Sequence, residues 1–485
     1  MADTRISVTS RVAHALLGKI GGWLNRDILT ELALVDRLNS IVALQEIQEA
    51  EEVVYSRMVG PADNATLWVD NNSSEGVPVG RDDVFGGWGL SEDMPFATLA
   101  YAELVKGMDG SRRQVNIAVS ATPYIAPARM TGGWYDRYRP KSNPLNGTVG
   151  YDSKTWTIGA GSSDVEGWSC TDIVDEDGNP AAWTANEHIG RFIDGVAGDA
   201  SGKRFMVKSN GVDTLELVST NDLTQPTNAD ISGSTIRIFD YDDSFTIELV
   251  ADTIMDSIGA WWCRFSGSYE LTILGDAQYL FCDFALDSVY MPEEGELKYC
   301  YVRCEGQAPG HLTITGRARL YSVIIDGSRA SGGDAYDGFF INGGDVQMMG
   351  GFLILQNMVH PLRCIGHLHG NPVVSDFPAY LMVDSCEEPL VFNPRGYGVG
   401  GGMRGLTLLN SINGTNGITG QAEIIEAWGS AKVDIPAAST LTGSTSVDAV
   451  NINGSLVASA SPAQDAFGTI VTGSTENPAT GYTTA

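Results

Sequence analysis

The chain has 485 residues, 57 of them glycine, and 60 acidic against 30 basic side chains give a formal net charge of −30. That balance excludes a nucleic-acid surface, which needs Lys and Arg to neutralise phosphates, and it repels anionic lipid. The 7 cysteines include no CxxC pair, which excludes zinc ribbons and thioredoxin-like chemistry and fits buried, reduced thiols.

The chain opens on polar Met1, Ala2, Asp3, Thr4 and Arg5, with no recognisable secretory leader and no later apolar run of membrane-spanning length. The expectation is synthesis in a cytoplasm and release by lysis of the cell, with no membrane insertion. Residues 1–58 carry a helical pattern. Val12, Leu16, Ile20 and Trp23 make one apolar stripe; Ile28, Leu32, Val35, Leu38 and Val42 make another. These faces are too wide for lone surface helices, so this segment is read as an anchor that self-associates or docks on a partner. Residues 59–85, with Pro61, Gly76, Pro78 and Gly80, read as a linker.

Pro95 sets a helix start and Gly107 and Gly110 its end, with Phe96, Leu99, Ala100 and Leu104 expected on one face. Val115, Ile117 and Val119 then alternate as a strand. A helix before a first strand would cover the open, unpaired end of a stack of strands. Trp134, Tyr135 and Tyr138 cluster with Arg137 and Arg139, a composition that suits glycan stacking or a subunit interface. Residues of about 175–240 read as hairpins, with turns at Gly202 and at Asn210-Gly211, and form a small inserted β-module.

From about 250 to 436, short apolar strands recur between turns. Cys263, Cys282 and Cys300 fall at two nearly equal intervals. Each interval matches one coil of a parallel β-helix, so the three thiols are expected to stack as a buried ladder. At about 4.8 Å per coil, a dozen coils make a rod about 60 Å long. The fold class is therefore mainly β: a right-handed parallel β-helix over 86–436, an N-terminal helical anchor, the inserted module, and a small-residue-rich β region at 437–485 for oligomerisation or a tip.

The helix at 95–104 followed by the 115–119 strand, the module segments at 189–193, 201–217 and 235–240, and the strand–Gly–strand run at 312–357 resemble the right-handed β-helix appendages of bacteriophages: tail spikes, tail fibres and head fibres. The resemblance covers about two-thirds of the chain. It implies a homotrimer, an N-terminal end fixed to tail or capsid proteins, a virion location, and a surface that meets host polysaccharide.

Many members of that family cut polysaccharide with paired carboxylates. The candidates here are Asp326, Asp334 and Asp337 around a Gly-rich loop, with Tyr336 available to stack on a sugar; the plain alternative is a turn and a solvated loop. Asp283 and Asp287 are further carboxylates in the same region. His367 and His369 alternate on one strand and share a face, so three copies would offer six nitrogens to a transition metal; a hydrogen-bonded surface pair is the alternative. No P-loop, dinucleotide fingerprint or HExxH stands in a supporting context, and no cofactor is expected. The reading is a structural, adhesive appendage, with a polysaccharide depolymerase on the same scaffold as the alternative.

Overall fold

A computed structural model describes residues between 66 and 484. Residues 1–65, 141–153, 220–230, 328–336, 371–378, 410–424, 460–468, 472–481 and several shorter loops lie outside the described residues. The expected N-terminal anchor therefore lies outside them.

The chain is mainly β. Among the described residues, thirty strands join one large parallel sheet, which curls, and eight join a separate sheet. The parallel sheet runs as three ribbons. The first takes Thr66–Val69, Gln114–Ile117, Arg137–Pro140, Gly259–Trp261, Ala277–Leu280 and Gly295–Lys298 in turn, each parallel to the next. The second passes through Tyr124–Ile125, Phe245–Glu248 and the start of Cys263–Leu274. The third passes through Arg129–Thr131, Thr253–Asp256 and the end of that same long strand. The chain visits the ribbons in rotation, so one circuit advances one place along each.

The register makes this repeat explicit. Arg264 pairs with Asp283, and Asp283 in turn with Tyr301. Cys263, Cys282 and Cys300 immediately precede these residues, so the pairing step is the cysteine interval itself, and all three cysteines are buried. The expected thiol ladder is present: Cys282 Sγ donates to Ala260 O at 3.1 Å and Cys300 Sγ to Tyr279 O at 3.4 Å. Burial pushes the Cys263 and Cys282 thiols well up, which keeps them protonated and inert. One continuous apolar core draws on alternate residues of all three ribbons, such as Phe265, Leu271 and Tyr279.

Two expected boundaries move. The parallel pairing begins inside the supposed linker, because Thr66–Val69 already pairs with Gln114–Ile117. It also continues beyond 437, where Leu456–Ser459 pairs in parallel with Tyr482–Thr484. Leu67 and Val69 alternate with half-buried neighbours, which is enough to seat a short strand whatever the surrounding Pro and Gly content.

The helix Leu99–Asp109 covers the first circuit. Thr98 caps it: its Oγ1 accepts from Tyr101 N, and Asp82 accepts from both Ala97 N and Thr98 Oγ1. Its buried face is Leu99, Ala102, Val105 and Lys106, spaced i, i+3, i+6 and i+7. Ala100 and Leu104, expected on that face, are exposed.

The second sheet is antiparallel throughout, in the order Val174–Asp175, Trp156–Thr157, Thr235–Ile238, Phe192–Ala197, Arg204–Asn210, Leu215–Ser219, Gly167–Thr171 and Ala160–Asp164. This is the expected module, but it starts at Trp156 rather than near 175. It is inserted after Arg137–Pro140 and before Phe245–Glu248, at the corner between the first and second ribbons. One face holds its own core, with Trp156, Trp168, Ile193, Phe205 and Leu217. The alternate residues Phe192, Met206, Val218 and Phe239 face the parallel sheet.

Candidate functional site

Among the described residues, the module meets the second ribbon along an extended, buried seam. It starts at the corner between the first and second ribbons. There Trp262, Phe281, Tyr299 and Ser322 have φ of 54°, 55°, 54° and 46°. Such left-handed backbone disfavours any side chain other than hydrogen, at a cost of about 1–2 kcal/mol per residue. It also turns the chain sharply enough that the next residue (Cys263, Cys282, Cys300 or Val323) points into the core while the corner residue points out.

The three corner aromatics stack along the axis. Trp262 and Phe281 lie 4.0 Å apart between ring centroids, and Phe281 and Tyr299 5.1 Å. Phe192 of the module meets Phe281 edge-on at 4.7 Å. Arg204, held by Asp194 at 2.7 Å, sits over the Trp262 and Phe281 rings. Gly190 lies against the Tyr301 ring, with φ of +77°, and a Cβ there would come within 2.1 Å of that ring. Neither Trp261 nor Trp262 belongs to the core of the parallel sheet. Trp262 is buried under the module, and Trp261 packs beside it with the Arg137 guanidinium 3.9 Å from its ring centroid.

Polar groups continue the seam along the second ribbon. Asp283 receives Arg264 Nε at 2.9 Å and Arg303 at 2.8 and 2.6 Å. Burial pulls its carboxyl up, but Arg303 and Arg264 together outweigh this and hold its pKa below the ordinary carboxylate value. Farther along, Tyr301 Oη donates to Asp326 Oδ2 at 2.8 Å, and Asn357 Nδ2 to Asp326 Oδ1 at 2.7 Å. Gln356 Nε2 donates to the Lys208 carbonyl of the module at 3.0 Å. Lys208 Nζ reaches Asp384 Oδ2 at 2.6 Å and Glu216 Oε2 at 3.6 Å.

The candidate site residues divide accordingly. Asp326 is 1% exposed and its oxygens accept hydrogen bonds from within the chain, so it is a seam residue rather than an open general acid or base. Asp337 opens the strand Asp337–Ile341, opposite His360. Asp334 and Tyr336 lie outside the described residues, as do Trp134 and Tyr135. Tyr138 is wholly buried: its hydroxyl donates to Glu103 of the cap helix and Lys106 lies over its ring, so it offers no face to a glycan or a second chain.

His367 and His369 share the outer face of one strand, and His369 Nε2 lies 2.9 Å from Asp345 Oδ1. Arg317 Nε stands 3.7 Å from the other oxygen of Asp345, a cation where a metal site would need a further donor. Among the described residues, no group of three or more His, Cys, Asp and Glu is arranged to hold a metal, and no helix is long and apolar enough to cross a membrane. Neither Lys208, Asp384 nor the corner aromatics stand out as site residues in the sequence. The signal for the last was present: an aromatic residue precedes each of Cys263, Cys282 and Cys300.

No protein-family model and no curated protein matches the chain.

Proposed function

We propose that the curled parallel sheet is a right-handed parallel β-helix and that the chain is a structural appendage of a virus particle. In this reading it trimerises, fixes itself to tail or capsid proteins through residues 1–58, and adheres to host surface glycan along the shaft. The observation that carries the proposal is the rotation of the chain through three parallel ribbons, circuit after circuit, around one apolar core. The right-handed sense is supported by the general preference of parallel strands joined by crossovers. A rod of this kind holds a large surface rigid and far from its anchor, as an attachment device requires.

The test is solution mass by light scattering of the full chain at micromolar concentration. Three copies per particle are expected, and a stable monomer would overturn the appendage reading. Incubation with host capsule or lipopolysaccharide probes the enzymatic alternative. Shortened glycan chains would replace adhesion with depolymerase activity, with Asp334→Asn and Asp337→Asn as the variants to compare.

A further inference from the structure

The seam ends where one lysine meets two carboxylates. Lys208 and Asp384 are far apart in the chain, one on the module and one on the second ribbon. Their side chains are only 8% and 15% exposed. Met382, on the same strand as Asp384, belongs to the apolar contact between module and parallel sheet. Two opposite charges closed into such a place lose much of their hydration, and their attraction often fails to recover it.

We propose that Lys208 and Asp384 are joined by an intramolecular isopeptide bond. Lys208 Nζ, as the neutral amine, attacks Cγ of the protonated Asp384 carboxyl and forms the C–N bond. Glu216 takes the surplus proton from nitrogen and delivers it to the departing oxygen. The C–O bond breaks, one water leaves, and Glu216 returns to its starting state. An amine and an acid become an amide and water, so no oxidant or other reactant is needed. Glu216 Oε2 stands 3.6 Å from Nζ and is oriented by Ser209 Oγ, which donates to it at 2.9 Å. Half of the Glu216 side chain is exposed, which gives the water a way out. The module's docking holds the reacting groups together, and such fixed proximity is equivalent to effective concentrations of about 10⁵–10⁸ M. The bond turns a docked insertion into a covalent brace.

Intact mass of the denatured, reduced full chain tests this. The expected mass is one water below that of the sequence, and a protease digest yields a branched peptide joining the segments around Lys208 and Asp384. K208R keeps the charge pair but not the nucleophile, and should show the full mass with the module still docked. E216Q should leave most of the chain unlinked just after synthesis. Full mass with no branched peptide in the unaltered chain overturns the proposal. So does a loss of water that persists in K208R, since succinimide formation at Asp326-Gly327 or Asp177-Gly178 would then be its source.

Discussion

Consider lowering the pH from 7 to 5. His188 lies in the module, 6% exposed, with its ring edge-on to Trp183 at 4.9 Å. The Glu187 carboxylate is 3.2 Å from Nε2 but out of line, so neither ring nitrogen makes a directed hydrogen bond. Burial first, and Arg191 second, push its pKa down from 6.5 to about 3. The folded module therefore refuses a proton that the unfolded chain accepts. Its contribution is complete above pH 6.5 and shrinks as the pH falls toward 3. At about 1.36 kcal/mol per pH unit, some 1.5 units below 6.5 remove about 2 kcal/mol at pH 5.

The perturbation to compare is His188→Gln, which cannot titrate. The two proteins are followed by amide hydrogen exchange of the module strands between pH 7 and pH 4.5, each corrected for the intrinsic exchange rate. A local probe is needed because long stacks do not unfold in one step. The expected result is a wild-type opening free energy that falls by about 2 kcal/mol more than the variant's between pH 7 and pH 5. Equal slopes in the two proteins would refute the reasoning.

Three more outcomes follow from the seam and the core. Arg303→Met leaves the buried Asp283 with Arg264 as its remaining Arg partner and should destabilise the neighbouring circuits by about 3–5 kcal/mol, read by amide hydrogen exchange of those strands. A double variant that also replaces Asp283 with leucine should recover much of that loss. At Phe281, with φ of 55°, the usual order of alanine over glycine should invert. Phe281→Ala loses the stack and keeps the backbone strain; Phe281→Gly loses the stack and relieves about 1 kcal/mol of it, so the glycine variant should melt higher. Finally, Cys263, Cys282 and Cys300 should resist alkylation in the native protein and react at once on unfolding, as mass spectrometry of the labelled chain would report.

The circuit length was legible because cysteines at matching positions survive as a repeat even where loops break the spacing. Later circuits lengthen: Arg317 pairs with Asp345, a clearly longer step than the one from Arg264 to Asp283. Counting spacings fails there, while the pairing persists. The corner ladder was hidden for a different reason. A left-handed turn normally shows itself as Gly or Asn, and here it is filled by Trp262, Phe281 and Tyr299, so the local pattern reads as plain strand alternation. The early part of the module was missed because Ala160–Asp164 and Gly167–Thr171 contain mostly Gly, Ser and Thr, with Trp168 as their one large core residue. Its later strands gave themselves away: runs such as Phe205-Met206-Val207 are apolar on both faces, and both faces are covered. Asp326 illustrates the limit of reading chemistry from a string. A carboxylate beside glycines looks available until its neighbours across the sheet are known.

The place where the module leaves the parallel sheet carries an evolutionary consequence. Its chain departs and returns within a single circuit, so a whole antiparallel unit can be gained without shifting any pairing above or below. The rings it rests on, however, belong to circuits encoded well downstream. Exchanging the unit between relatives would strand those outward aromatics in water, so recombination that respects the insertion points alone should yield poorly behaved proteins. Productive exchanges would have to carry Trp262, Phe281 and Tyr299 along with the piece that shelters them.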